Sequence, residues 1–163
     1  MVSKRLSGEA GHRRKFMAIV DDTPECSRAV RYAGRRAKNS NGGLVLCYVI
    51  PEHDVQQWIG VQEFMRAEAR EEAEAIVNKV AEAAREGIGI EPEIVIREGD
   101  RSEQINAVVE EDRDIAILVL AAGSAKDGPG PLVSLLAGRG KAFTIPVTVL
   151  PDGLEDADID ALC

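Results

Sequence analysis

A chain of 163 residues with 45 % hydrophobic and 29 % charged side chains has the size and balance of one globular domain with its own core. Its net charge of −8 speaks against nonspecific binding to nucleic acid or to anionic lipid, both of which need a positive field. No apolar run approaches the roughly 20 residues of a membrane span, and the first fifteen residues lack a signal-type apolar stretch, so a cytoplasmic protein is expected.

Residues 1–14 are basic and aperiodic and read as a flexible arm. Phe16 to Val20 is a short continuous apolar run, the signature of a strand buried on both faces. Asp21-Asp22-Thr23-Pro24 stops it. Thr23 suits a helix cap and Pro24 a first turn, opening a helix to about Lys38 with Arg28, Arg31 and Arg35 on a solvated face. After the turn Asn39 to Gly43, a second apolar strand, Leu44 to Ile50, closes at Pro51. A loop with His53 and Trp58 leads to a long helix, about Val61 to Glu86, with its stripe on Val61, Met65, Ala69, Ala73, Ile76, Val80 and Ala84. Glycines 87 and 89 end it. Strand three, Glu93 to Arg97, alternates, with Glu93, Val95 and Arg97 outward, as at a sheet edge. Asp100-x-x-Glu103 then caps a helix burying Ile105, Val108 and Val109. Ile115 to Ala122 is the most apolar strand and should be central. Gly123 to Gly140 follows, apolar at Leu132, Val133, Leu135 and Leu136, before the last strand, Pro146 to Leu150. The domain proper is expected over 15–151, with 152–163 an acidic tail.

Regular strand–helix alternation implies right-handed crossovers and a parallel sheet. The edge character of strand three and the buried character of strands one and four give an α/β fold: an open five-stranded parallel sheet of order 3-2-1-4-5, helices on both faces, flavodoxin- or Rossmann-like. In that order strands one and four flank the point where the winding reverses. Their carboxyl ends, Asp21-Asp22-Thr23 and Ala122-Gly123-Ser124, then meet in one crevice, the usual ligand position in open α/β sheets.

Val20-Asp21-Asp22-Thr23-Pro24-Glu25 resembles the opening V-D-G-S of the universal stress proteins. Leu46-Cys47-Tyr48-Val49, Gly99-Asp100 and the stretch Val119 to Leu150 resemble that family's second strand, third-helix turn and closing half, so the resemblance spans about residues 15–151. It implies a stress-response regulatory protein binding an adenine nucleotide, ATP or AMP, with Mg2+ as a counter-ion for the phosphates. The base and ribose would lie near Asp21, Thr23, Val49 and Pro51. The phosphates would lie against Gly123, Ser124, Gly128, Gly130, Gly138 and Arg139. The family's nucleotide-binding loop reads G-x2-G-x9-G-[ST]. Here Gly128 and Gly138 keep the nine-residue spacing, but Ala125 stands at the first glycine, Arg139 at the hydroxyl, and Pro129 removes an N–H donor. Asp22 replaces a family glycine and adds a carboxylate that repels phosphate, which Lys126, Arg139 or Mg2+ could offset.

The alternative is an interaction module of the same fold that binds no nucleotide. An enzyme is disfavoured, with slow ATP hydrolysis as the most expected, because no carboxylate pair, Cys–His or Ser–His set has catalytic spacing. Cys26, Cys47 and Cys163 form no C-x-x-C pair, and His12 and His53 lack ligands at metal spacing, so neither disulfide nor metal is expected. The last strand, short and apolar at a sheet edge, is expected to pair in a homodimer.

Overall fold

In the computed structural model, which describes residues 3–52, 62–124, 126, 128–135 and 143–163, a five-stranded sheet runs in the order β3-β2-β1-β4-β5. The strands are β1 (Lys15–Ile19), β2 (Gly43–Pro51), β3 (Glu93–Gly99), β4 (Ile115–Ala121) and β5 (Val147–Leu150), and every pairing is parallel. The helices are α1 (Cys26–Asn39), α2 (Gln62–Gly87), α3 (Arg101–Glu111), α4 (Pro131–Ser134) and α5 (Asp156–Leu162). The expected fold class and strand order are therefore observed.

Alternation along each strand builds two cores. Phe16, Ala18, Val20, Leu44, Leu46, Val119 and Ala121 face α1 and α2, while Met17, Ile19, Val45, Cys47, Leu118 and Leu120 face α3 and α4. Both strands at the middle of the sheet are buried on each face, which is why they read as continuous apolar runs rather than alternating ones. Asp100 caps α3 as expected, its carboxylate accepting from the Glu103 amide at 2.9 Å.

Several local expectations are corrected. Val95 does not point outward; it packs against the α3-side core, and Ile94 is the exposed one at 38 %. On α2 the residues facing the sheet are Ala73, Val77, Ala81 and Ala84, whereas Ile76 and Val80 are half-buried beside α1. Two apolar stripes lie side by side there: of the expected residues Ala73 and Ala84 do face the sheet, while Ile76 and Val80 belong to the neighbouring stripe. Val61, His53, Trp58 and Leu136 lie outside the described residues.

Both terminal stretches contact the domain where they are described. Arg5 donates to the Val109 carbonyl at 2.5 Å, among the carbonyls left open at the end of α3, and the Leu6 amide bonds to Arg113. The acidic tail forms α5 on α1. Ile159 is fully buried, and Asp160 takes a two-pronged bond from Arg31 at 2.8 and 2.7 Å. Arg28, Arg31 and Arg35, expected on a solvated face, instead pair with Asp152, Asp156 and Asp160. The tail's acidity thus matches the basic stripe of the first helix.

The hydrogen bond from Arg31 holds the Asp160 carboxyl below its usual range. A lowered folded-state value means this contribution to docking is present above the ordinary carboxylate pKa and is lost as pH falls through the depressed one. Protection of the α5 amides, taken relative to their intrinsic exchange rate at each pH, should accordingly be kept at neutral pH in the native protein and fall only in acid. In Arg31→Ala it should already be low at neutral pH. Equal exchange in the two proteins would rule out the ion pair as the clamp.

Candidate functional site

The crevice forms where the carboxyl ends of β1 and β4 lie side by side. Asp21 follows β1, only 8 % exposed, the one buried charged side chain among the described residues. Its Oδ1 accepts from the Thr23 amide at 3.2 Å and from the Thr23 hydroxyl at 2.5 Å. Its Oδ2 is buried and has no hydrogen-bond partner. Burial pushes the carboxyl above its ordinary pKa, with the Thr23 hydrogen bond and the Arg101 charge pulling back and the neighbouring Glu25 charge adding to the rise. An unsatisfied buried acceptor costs roughly 1–3 kcal/mol, so such atoms in a folded protein call for an explanation, and a ligand donor is one.

Thr23 therefore does not cap α1. Its hydroxyl is committed to Asp21, and the residue at the cap of α1 is Glu25, whose side chain makes no capping bond either. Below Asp21, Asp22 and Thr23, a cavity of about 630 Å3 runs between α1 and α2. Its walls include Cys26, Val30, Ile76, Val80 and Ile88, and Lys79 and Asp156 stand at its rim. The half-buried stripe of α2 faces this space. Burial raises the Cys26 thiol to about 11 and the Cys47 thiol to about 12, so neither is a thiolate nucleophile at neutral pH.

Across the crevice, the loop after β4 closes on itself, the Gly123 amide donating to the Pro129 carbonyl at 2.9 Å. Gly128 and Gly130 hold φ of 83° and 87°, backbone that glycine adopts freely. A Cβ on Gly123 would stand 2.8 Å from the Gly128 carbonyl oxygen, so the turn needs glycine there. Ser124 is half-buried beside it. Val49, expected near a base, is 3 % exposed with its side chain in the α3-side core; Pro51 ends β2 opposite Gly99. Gly138, Arg139 and Ala125 lie outside the described residues.

Three residues in the crevice were not singled out from sequence. Arg28 ties α1 to the β4 loop through the Ala122 carbonyl at 2.7 Å. Arg101 opens α3 close enough to Asp21 and Tyr48 for its charge to act on both. Glu25 reaches the glycine loop: its Oε1 would be 2.8 Å from a Cβ on Gly130 and 3.3 Å from one on Gly123. For Glu25 the only sequence signal was a carboxylate one turn into a loop that resembles a nucleotide site. Among the described residues, no group of three or more His, Cys, Asp or Glu side chains could hold a metal ion. No described helix is long and apolar enough to cross a membrane.

The fold matches known structures. A universal stress protein UspA from Lactobacillus plantarum aligns with a TM-score of 0.65 at 14 % identity, over 84 % of this chain and 97 % of that one. A universal stress protein family protein from Arabidopsis thaliana, solved with AMP bound, aligns at 0.57 and 20 % identity, over 85 % and 91 %. A universal stress protein in complex with cAMP aligns at 0.50 and 19 %, over 84 % and 95 %. No curated protein shows significant sequence similarity to the chain. The model of the universal stress protein family matches residues 12–150, which takes in all five strands and the crevice. The chain belongs to the universal stress protein family.

Proposed function

We propose that the chain is a stress-response regulatory protein that takes the adenine and ribose of a nucleotide-type ligand in the crevice between β1 and β4. The observation that carries this reading is the buried Oδ2 of Asp21 at the carboxyl end of β1, an acceptor without a hydrogen-bond donor. A ribose hydroxyl or an adenine amino group supplies the missing donor. Two structural relatives, solved with AMP and with cAMP, make an adenine compound a reasonable ligand class.

The phosphate end fits less well. ATP or AMP would bring phosphates towards Gly123, Gly128 and Gly130, where the Glu25 carboxylate already stands. Asp21 and Asp22 are the carboxylates nearest to hand for Mg2+, and no metal-holding group includes them among the described residues. No catalytic role is assigned. The test is direct: heat purified protein to release what it carries, and separate the supernatant by chromatography with mass detection. An adenine compound in stoichiometric amount supports the reading. Protein that binds no adenine compound even when supplied with one favours the interaction module of the same fold.

We further propose a homodimer paired along β5. That strand bonds to β4 on one side only, leaving backbone donors and acceptors at the other edge for a two-fold partner. Val149→Lys should shift light scattering from dimer towards monomer at micromolar protein. A native protein that scatters as a monomer would refute the pairing.

A further inference from the structure

We propose, resting on the adenine reading above, that Glu25 is a built-in occupant of the glycine loop, so that the crevice selects an uncharged adenosine-type ligand and refuses its phosphorylated forms. The glycines that the family resemblance sets against phosphate and that are described are Gly123, Gly128 and Gly130. The Glu25 Oε1 stands on the face of it where side chains on Gly130 and Gly123 would otherwise lie, at 2.8 and 3.3 Å from their would-be Cβ positions. A carboxylate that is covalently part of the protein therefore stands beside the loop glycines.

Glu25 is not there to serve its own helix. It is the cap residue just before α1, with helical backbone angles, and makes no capping bond to the α1 amides. Its side chain turns across the crevice instead. Among its described residues the loop loses several donors for a phosphate. The Gly123 amide is spent on the Pro129 carbonyl, and Pro129 and Pro131 have no N–H to offer.

Charge points the same way. Asp21, Asp22 and Glu25 are three acidic residues within five positions at the mouth, and the charge of Glu25 is felt at Asp21. Among the described residues, the cations nearby are committed elsewhere or stand apart; Arg139 lies outside them. Arg28 holds the Ala122 carbonyl and faces Asp152, while Arg101 lies towards Asp21 and Tyr48. Lys126, the one cation among the described residues of the loop, is exposed. A nucleoside offers the donor that Asp21 lacks without bringing a second anion to Glu25. A nucleotide brings both, and like charges brought together are a standard means of rejecting the wrong ligand.

The experiment is calorimetry of wild type, Glu25→Gln and Glu25→Ala with adenosine, AMP and ATP, accompanied by inorganic phosphate titrations followed through the amide signals of Gly123, Gly128 and Gly130. Wild type should bind adenosine about tenfold or more tighter than AMP or ATP. Both variants should close most of that gap by tightening the nucleotides while leaving adenosine within about twofold. Phosphate should move the Gly130 amide in Glu25→Ala and not in wild type. If wild type binds AMP as tightly as adenosine, or the variants change all three ligands alike, Glu25 is no selector and the adenine reading stands alone. If no protein binds adenosine or a nucleotide, the adenine reading fails. The phosphate titration then judges Glu25 by itself: a response confined to Glu25→Ala supports the occupied loop, and no response overturns it.

Discussion

Leu120→Ala should destabilise the protein by roughly 2–5 kcal/mol and lower its melting midpoint by roughly 4–20 °C. Leu120 is fully buried in β4, one residue before the strand ends at the glycine loop, and packs in the core covered by α3 and α4. Truncation removes methyl groups from a strand flanked by β1 and β5, where the surroundings have little freedom to collapse into the gap. Phe64→Ala, at a ring 72 % exposed on α2, removes more apolar area and should stay within about 0.5 kcal/mol. Denaturant unfolding of the two variants checks this pair. Similar losses at both sites would contradict the assignment of β4 to the centre of the sheet.

Asp21→Asn should make the ligand-free protein more stable and a poorer binder. The carboxylate is held in a buried position with one oxygen unpartnered, and burial raises its pKa. A raised folded-state value means the folded protein holds the proton more tightly than the unfolded chain. Asp21 therefore favours folding below its unfolded pKa of about 3.9, and that contribution is lost as pH rises through the raised value. At neutral pH the ionised group costs stability. Asparagine removes the charge but leaves an amide still short of a partner, so a gain of about 1 kcal/mol is expected at pH 7. The difference should disappear below about pH 4, where wild type is itself protonated. Thermal melts across that range test the sign. A variant less stable than wild type at pH 7 would mean the charge is stabilised by groups other than Thr23 and Arg101.

The sheet could be read from sequence because its strands announce themselves by pattern: Phe16 to Val20 and Ile115 to Ala122 are apolar throughout since both of their faces are covered. The crevice followed from the order alone, as strands one and four must lie together for the winding to reverse between them. Side-chain destinations were less legible. Thr23 beside Pro24 reads as a helix cap, yet its hydroxyl is taken by Asp21 two residues back, a local competitor that composition does not reveal. Arg31 and Arg35 read as solvent-facing because their partner, Asp160, lies about 125 residues away in sequence, and periodicity carries no information at that range. Ile159 shows the same limit, one apolar residue in an acidic run that proves to be the anchor of α5. Glu25 was legible only as a member of a motif; that it reaches Gly130 is a fact of the folded loop.

The central claim is that Asp21 is the seat of an adenine-type ligand, and titrating adenosine into wild type and Asp21→Asn by calorimetry tests it most directly. The Thr23 amide, which donates to Oδ1, keeps an oxygen of the asparagine turned inward, so the variant presents an NH2 donor where the ligand needs an acceptor. Wild type should bind adenosine at millimolar concentration or below, and the variant about tenfold or more weakly, the loss expected for one charge-assisted hydrogen bond. Saturable binding that is equally tight in both proteins, or no heat from wild type at millimolar adenosine, would contradict the account.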